Sequence, residues 1–158
     1  MRRSLFVTGI AAVFLLPSAS TGPAATARVA GSETISLQRG QGYAVIASRG
    51  AVIGTVAHGW VRVVDLPGGG APHGYVRGCE ARAGRLSGRL YCRGRDLRLF
   101  VYDGTWRVRV AGRGINVSGR IRGSLGLDRA EGGTGVYSIA GARYRRWPAE
   151  LRFFSVRS

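Results

Sequence analysis

The sequence predicts an all-β fold, a sandwich or flattened barrel of about ten short antiparallel strands. Its dominant period is two residues, because apolar and polar side chains alternate, as they do along Trp106–Val110 and Ser124–Leu127. Beyond residues 1–27, no stretch of the chain has an apolar stripe of helical period, so we expect almost no helix there. Glycine punctuates the chain, at 26 of 158 residues, and supplies the positive φ that tight turns need. The turn signals are Arg49-Gly50, Asp65–Gly70, Asp103-Gly104, Arg113-Gly114 and Glu131–Gly133.

Residues 1–27 have the pattern of an export signal peptide. A positively charged arginine pair precedes the uncharged stretch Leu5–Leu16, which is too short to span a bilayer. Small residues permit cleavage after Ser20 or after Ala27, and we favour Ala27 because the strand pattern begins soon afterwards. The arginine pair also fits a twin-arginine signal, but its n-region is very short for one, so we favour the ordinary secretory signal. We therefore predict a secreted bacterial protein that is either released or associated with the cell envelope.

The rest of the chain predicts one domain at 41–158 after a lead-in at 28–40. Apolar residues make up 45% of the sequence, enough for a single core. Two segments, Leu97–Tyr102 and Leu151–Val156, are largely apolar at both parities. That pattern predicts central strands covered on both faces.

An internal duplication is a further possibility, with repeats at 41–103 and 105–158. Asp96–Phe100 matches Glu150–Phe154 in order, and the glycines and apolar positions around residues 47–63 match those around 111–127. Two such units would bury their apolar faces against each other. The alternative is that any two glycine-punctuated hairpins look alike.

The two cysteines, Cys79 and Cys92, predict a structural disulfide, as expected for a pair in an exported protein. Closing a loop of this length stabilises a fold by about 3 kcal/mol in the chain-entropy model. A redox or metal pair is disfavoured, because the spacing is not C-x-x-C and no histidine lies nearby. We expect no cofactor and no metal.

The C-terminal part carries a run of glycine and apolar positions. Residues 108–123 read VRVAGRGINVSGRIRG, residues 135–141 read GVYSIAG, and Trp147-Pro148 precedes an apolar end segment. This pattern resembles that of small exported proteins of unknown function from high-GC bacteria. The resemblance covers about the last 60 residues and implies an all-β fold and export, but it supplies no site residues.

The chain is strongly basic, with 24 basic and 8 acidic side chains and a net charge of +16. Every basic residue is arginine, and a GC-rich genome raises Arg, Gly and Ala together. The excess therefore has either a genomic or a functional origin. In both cases such a chain attracts polyanions, and salt weakens the attraction.

Arginines at outward positions form a candidate anion-binding face, with aromatic residues Tyr144 and Trp147 beside some of them. Arginine and aromatic side chains on one sheet face can hold phosphates or sugars and stack on rings. The expected partners outside a cell are anionic cell-wall polymers, lipid head groups or extracellular nucleic acid. We expect four of the candidates, Arg107, Arg109, Arg120 and Arg122, to lie on adjacent strands. The candidates are Arg107, Arg109, Arg120, Arg122, Arg143, Arg145 and Arg146.

No catalytic constellation is evident, so we predict a non-enzymatic binding or structural module. Neither His58 nor His73 lies in a hydrolase motif, and both are expected in solvated loops. Most of the eight carboxylates lie beside turns or arginines, as in local capping roles. The alternative is a small secreted hydrolase or inhibitor-like effector, which predicts a cleft in which one histidine meets a carboxylate.

Overall fold

The computed structural model describes residues 32–78, 83–86 and 88–157. Within these ranges the chain contains strands and turns but no helix, which confirms the all-β prediction. The predicted signal peptide at 1–27 lies outside the described residues. The first strand starts at Glu33, so most of the predicted lead-in belongs to the sheet.

Two very long strands dominate the fold. β1 has 33 residues and β5 has 24, whereas most of the other strands are short. In chain order the strands are β1 (Glu33–Asp65), β2 (His73–Arg77), β3 (Ala83–Arg85), β4 (Arg89–Tyr102), β5 (Trp106–Arg129), β6 (Val136–Ile139), β7 (Arg145–Arg146) and β8 (Arg152–Val156).

All eight strands form one antiparallel sheet. The order of hydrogen-bonded neighbours is β3-β2-β4-β1-β5-β8, and β6 pairs with β1 and with β7. This path has two ends, at β3 and at β8. The structure therefore supports a single open sheet in place of the sandwich or flattened barrel that the sequence predicts.

The two long strands wind around each other, so that each lies on both sides of the other. Ala44 of β1 pairs with both Val110 and Leu127 of β5, and Val110 pairs with both Ala44 and Val61. Such double pairing requires a coiled ribbon, because one flat strand cannot meet the same partner on both edges. The coiling encloses the apolar faces and lets a single sheet surround a core.

The prediction of about ten short strands is wrong because two of the turn signals lie inside strands. Arg49-Gly50 belongs to β1 and Arg113-Gly114 belongs to β5. Gly50 has a φ of 126° yet continues the ladder with Ile121, so the strand bends there without ending. The other signals, near residues 66–70, 103–104 and 131–133, are turns in the structure.

The core follows the two-residue alternation that the sequence predicts. Along β5 the side chains of Trp106, Val108 and Val110 are buried, and the intervening arginines are only half-buried. Two tryptophans, Trp106 and Trp147, are the largest fully buried side chains. Further core residues are Ile35, Leu37, Ile46, Val52, Val56, Val61, Val63, Leu97, Leu99, Ile115, Val117, Ile121, Leu125 and Leu127.

The two segments predicted to be covered on both faces are covered on one or lie at an edge. In β4 the side chains of Leu97, Leu99 and Val101 are buried, but Arg98 and Tyr102 are exposed. β8 lies at the end of the sheet path, and its Phe153 is 64% exposed. Aromatic residues on the outer face of a one-sided sheet thus mimic the pattern of a buried strand.

The duplication and the disulfide stay predictions. Each proposed repeat holds all or most of one long strand and an antiparallel neighbour, since β4 pairs with β1 and β8 pairs with β5. Cys92 is buried in β4, and its predicted partner Cys79 lies outside the described residues.

Candidate anion-binding face

Three aromatic rings meet on the outer surface of the sheet. Trp60 lies between Tyr43 and Tyr91, with ring centroids 6.2 Å and 5.9 Å from its own. Tyr43 and Trp60 belong to different segments of β1, and Tyr91 belongs to β4. The three rings form one continuous aromatic surface, although their residues are far apart in sequence.

Strand alternation and register place the rings together. Tyr43 and Trp60 both pair with Ala111 of β5, so they lie on either side of the same residue. The neighbouring Val61 is fully buried, and Trp60 therefore points outward. Ala111 itself is small, and the flanking outward positions along β5, Arg109 and Arg113, are arginines, as is Arg93 of β4 beside Trp60.

We call this surface the basic–aromatic face. Strand pairing aligns its outward side chains in rows across the sheet. Arg62 pairs with both Arg109 and Tyr91, and Trp60 pairs with Arg93. Its members are Tyr43, Trp60, Arg62, Tyr91, Arg93 and Arg109, continued on one side by Arg107, which pairs with Val64.

A row of four glycines crosses the sheet beside these rings. Gly42 pairs with Gly112, Gly112 pairs with Gly59, and Gly59 pairs with Gly94. Adjacent strands are about 4.8 Å apart, so this glycine row spans roughly 14 Å. Three of the four, Gly42, Gly59 and Gly112, have a φ between 142° and 157°. The strands bend here, and the backbone is left bare of side chains.

An open depression of about 400 Å³ lies over the glycine row. On one side it is lined by Trp60 and Arg93, and on the other by His58, Arg95 and Arg113. All of these except Trp60 are exposed. Aromatic and basic side chains therefore converge on one concave patch.

The arginines of this region have no acidic partner in the described part of the chain. There, the one ion pair within 4.0 Å joins His73 to Asp103. Arg109 also has a buried Nε–H without a hydrogen-bond acceptor among the described residues. Asp128, which pairs with Tyr43, and Asp96, which follows Arg95, are the nearest carboxylates in the register. The positive charge is therefore left largely uncompensated.

The structure divides the predicted arginine set. The first four arginines lie on one strand, β5, and not on adjacent strands. Arg109 and Arg120 are eleven residues apart, roughly 36 Å along an extended strand. Arg107 and Arg109 join the basic–aromatic face, whereas Arg120 pairs with Ala51 and Arg122 with Arg49, farther along the ribbon.

The remaining predicted arginines form another patch. Arg145 and Arg146 are exposed in β7, which pairs with β6, and Arg143 is exposed in the segment before it. Trp147 was expected to lie beside them at the surface, but it is buried in the core. The expected single arginine face is thus at least three separate groups.

The two histidines do not form an acid–base pair with a carboxylate. His58 lies within β1, not in a loop, and pairs with Arg95 and Arg113. His73 Nδ1 is 4.0 Å from Asp103 Oδ2, beyond hydrogen-bond distance, and both side chains are largely exposed. The described residues include no cluster of three or more histidine, cysteine or acidic groups that could hold a metal.

Tyr43, Trp60 and Tyr91 are absent from the residues that the sequence suggests. Their proximity depends on strand register, which local patterns do not reveal. One signal was available, since Tyr43 and Trp60 each follow a glycine of the glycine row. A repeated glycine–aromatic pair in two strand segments can mark a bare backbone stretch beside an outward ring.

A search of protein-family profiles, curated proteins and solved structures finds no match to this chain. The resemblance to exported proteins from high-GC bacteria stays a prediction. Within the described ranges, no helix is long and apolar enough to cross a membrane.

Proposed function

We propose that this chain is an exported, non-enzymatic binding module that holds an anionic polymer on its basic–aromatic face and in the adjoining depression. The observation that carries the proposal is that Trp60, the central ring of the aromatic cluster, lines one depression together with arginines that have no ionic partner among the described residues. The expected polymers are anionic cell-wall material or extracellular nucleic acid.

Arginine is suited to this role because its planar guanidinium binds phosphate and carboxylate groups through two parallel hydrogen bonds. The exposed arginines Arg93, Arg95 and Arg113 line the depression without a carboxylate within 4.0 Å among the described residues. A bound polyanion supplies the acceptors that the protein itself does not. Because the site is open, the attraction is screened by salt.

Trp60 and its two neighbours add a different interaction. Aromatic side chains bind sugar or base rings by stacking, and a base stacked on an aromatic ring contributes about 1–3 kcal/mol. Trp60 lines the depression opposite His58 and Arg113. A polymer that carries both rings and charges can therefore contact both walls.

Binding of poly(dT) and of isolated cell wall is expected to weaken linearly on a log–log plot against salt concentration. The triple variant Arg93→Gln/Arg95→Gln/Arg113→Gln should reduce the slope for poly(dT) by about two units, since each phosphate contact on a single strand contributes about 0.7. Fluorescence anisotropy across a salt series measures the slope.

The matched control is Arg143→Gln/Arg145→Gln/Arg146→Gln, which removes the same charge from the β7 region. The control should keep most of the slope if binding is local to the depression. Equal losses in both variants contradict a defined site and mean that net charge alone drives binding. Retention on cell wall at high salt, with poly(dT) released, identifies a wall polymer as the ligand.

A Trp60→Ala variant is expected to bind poly(dT) about tenfold more weakly, because it loses one stacking contact. Its affinity for inorganic polyphosphate, which has no rings, should not change. Trp60→Phe should retain most of the poly(dT) affinity. Anisotropy with both polymers measures the difference, and an equal loss on both would show that Trp60 only supports the shape of the face.

A further inference from the structure

A second concavity, larger than the depression over the glycine row, lies elsewhere on the outer surface and is mostly apolar. It has a volume of about 910 Å³ and is lined by Ile53, Phe100 and Tyr102 together with Arg49, Ala51 and Arg120. We call it the apolar groove. It lies on the part of the ribbon where β1 pairs with β4 and with the middle of β5, away from the glycine row.

Strand register explains why the groove is open. Ala51 pairs with Tyr102 on one side and with Arg120 on the other, so a single methyl group separates two long side chains. In the next outward row Ile53 lies between Phe100 and Ser118. The small side chains of Ala51, in the middle of one row, and Ser118, at the end of the next, leave a low floor beside the taller Phe100, Tyr102 and Arg120.

The groove exposes apolar surface that soluble domains normally bury. Ile53 is 52% exposed, and Tyr102 stacks on Phe100 with ring centroids 4.9 Å apart. Apolar clefts of several hundred Å³ with a few polar groups are the usual form of a small-molecule site. Burial of an alkyl chain against Ile53 and the two rings would remove this surface from water.

The two arginines of the groove differ in their partners. Arg49 donates from Nη2 to the Gly68 carbonyl oxygen at 2.6 Å and from Nε to Thr105 Oγ1 at 3.1 Å. Its guanidinium therefore holds the loop after β1 in place. Arg120 is exposed and has no hydrogen-bond or ion-pair partner among the described residues. One cation is thus left free beside the apolar floor.

We infer that the apolar groove binds a fatty acid, with its carboxylate at Arg120 and its alkyl chain along Ile53 toward Phe100. A carboxylate can accept two parallel hydrogen bonds from the Arg120 guanidinium. A fatty acid has one carboxylate on one alkyl chain, which suits an apolar groove with one free cation. Asp103, at the same groove, disfavours a second anionic group near Tyr102. This inference is independent of polymer binding by the basic–aromatic face.

The test is calorimetric titration of the full domain with laurate below its micelle concentration. Laurate should bind at one site, at least about tenfold more tightly than butyrate, because the longer chain buries more apolar surface. It should also bind more tightly than dodecyltrimethylammonium, which has the same chain and the opposite charge. Equal binding of laurate and either comparator overturns the inference.

Two variants locate the site. Arg120→Gln should weaken laurate binding about tenfold, as loss of a charge-assisted hydrogen bond predicts, whereas 1-dodecanol binding should hardly change. Ile53→Asp should abolish binding of both, and because Ile53 is half exposed the variant should still fold. Thermal unfolding checks the fold of each protein.

Arg122→Gln is the matched control, since Arg122 is exposed on the same strand and does not line the groove. It should bind laurate like the parent protein. Equal effects of the Arg120 and Arg122 variants, or self-association that Ile53→Asp abolishes without any laurate binding, would overturn the inference. Trp60→Ala should keep laurate binding, which separates this site from the basic–aromatic face.

Discussion

A Gly112→Ala variant is expected to lower the free energy of unfolding by about 3 kcal/mol or more. Gly112 has a φ of 142°, where residues with a side chain are strained. An alanine Cβ would collide with the carbonyl oxygen of His58 and approach the Cα of Gly59 to 2.7 Å. Both contacts are with backbone that is fixed by strand pairing, so neither can move aside.

Urea unfolding measures this cost through the transition midpoint. Gly132→Ala is the matched control, since Gly132 also has a positive φ, of 65°, but an alanine methyl group there would have no neighbouring atom within 4 Å. That substitution should cost only about 1 kcal/mol, the ordinary penalty for a left-handed alanine. Similar costs for the two variants contradict the close approach of the strands at the glycine row.

A Trp147→Ala variant is expected to lose about 3–5 kcal/mol of stability. The Trp147 ring is 1% exposed and lies against Gly40 and Gly135, where no side chain intervenes. Its Nε1–H donates to the Val136 carbonyl oxygen at 3.1 Å. Removing the indole leaves a cavity between β1 and β6 and removes this hydrogen bond.

Hydrogen exchange should show where stability is lost in Trp147→Ala. Relative to the parent protein, the backbone amides of Val136–Ile139 should gain more in exchange rate than those of β4. Trp147→Phe should recover much of the stability, because it refills most of the cavity and loses only the hydrogen bond. The matched tryptophan control is Trp60→Ala, which removes a half-buried ring from the outer surface and should cost far less. Equal costs at the two tryptophans contradict the assignment of Trp147 to the core.

The fold class could be predicted because burial on one face imposes a two-residue period. The alternation at Trp106–Val110 appears in the structure as predicted. The strand number could not be predicted, because glycine has two roles. At Asp103-Gly104 it helps form a turn, and at Gly50 and Gly114 it bends a strand that continues.

The candidate site was predictable only in part. The alternation of side chains along a strand is enough to place Arg107 and Arg109 on the outer side of the sheet. It does not show how far the strand curves before it reaches Arg120. The partners of these residues depend on register between segments about 50 to 80 residues apart. A local pattern carries no information on such pairing, so the aromatic cluster around Trp60 became visible only in three dimensions.

The double pairing of β1 and β5 has a consequence for how the chain folds. Ala44 and Leu127 are partners across about 80 residues of intervening chain, so most of the sheet consists of non-local contacts. Loop closure must precede their formation, and we expect folding on the millisecond-to-second scale. When the chain emerges with its N-terminus first, β1 cannot pair with β5 until Trp106–Arg129 has also emerged. Until then, the apolar residues of β1 are exposed to wrong partners.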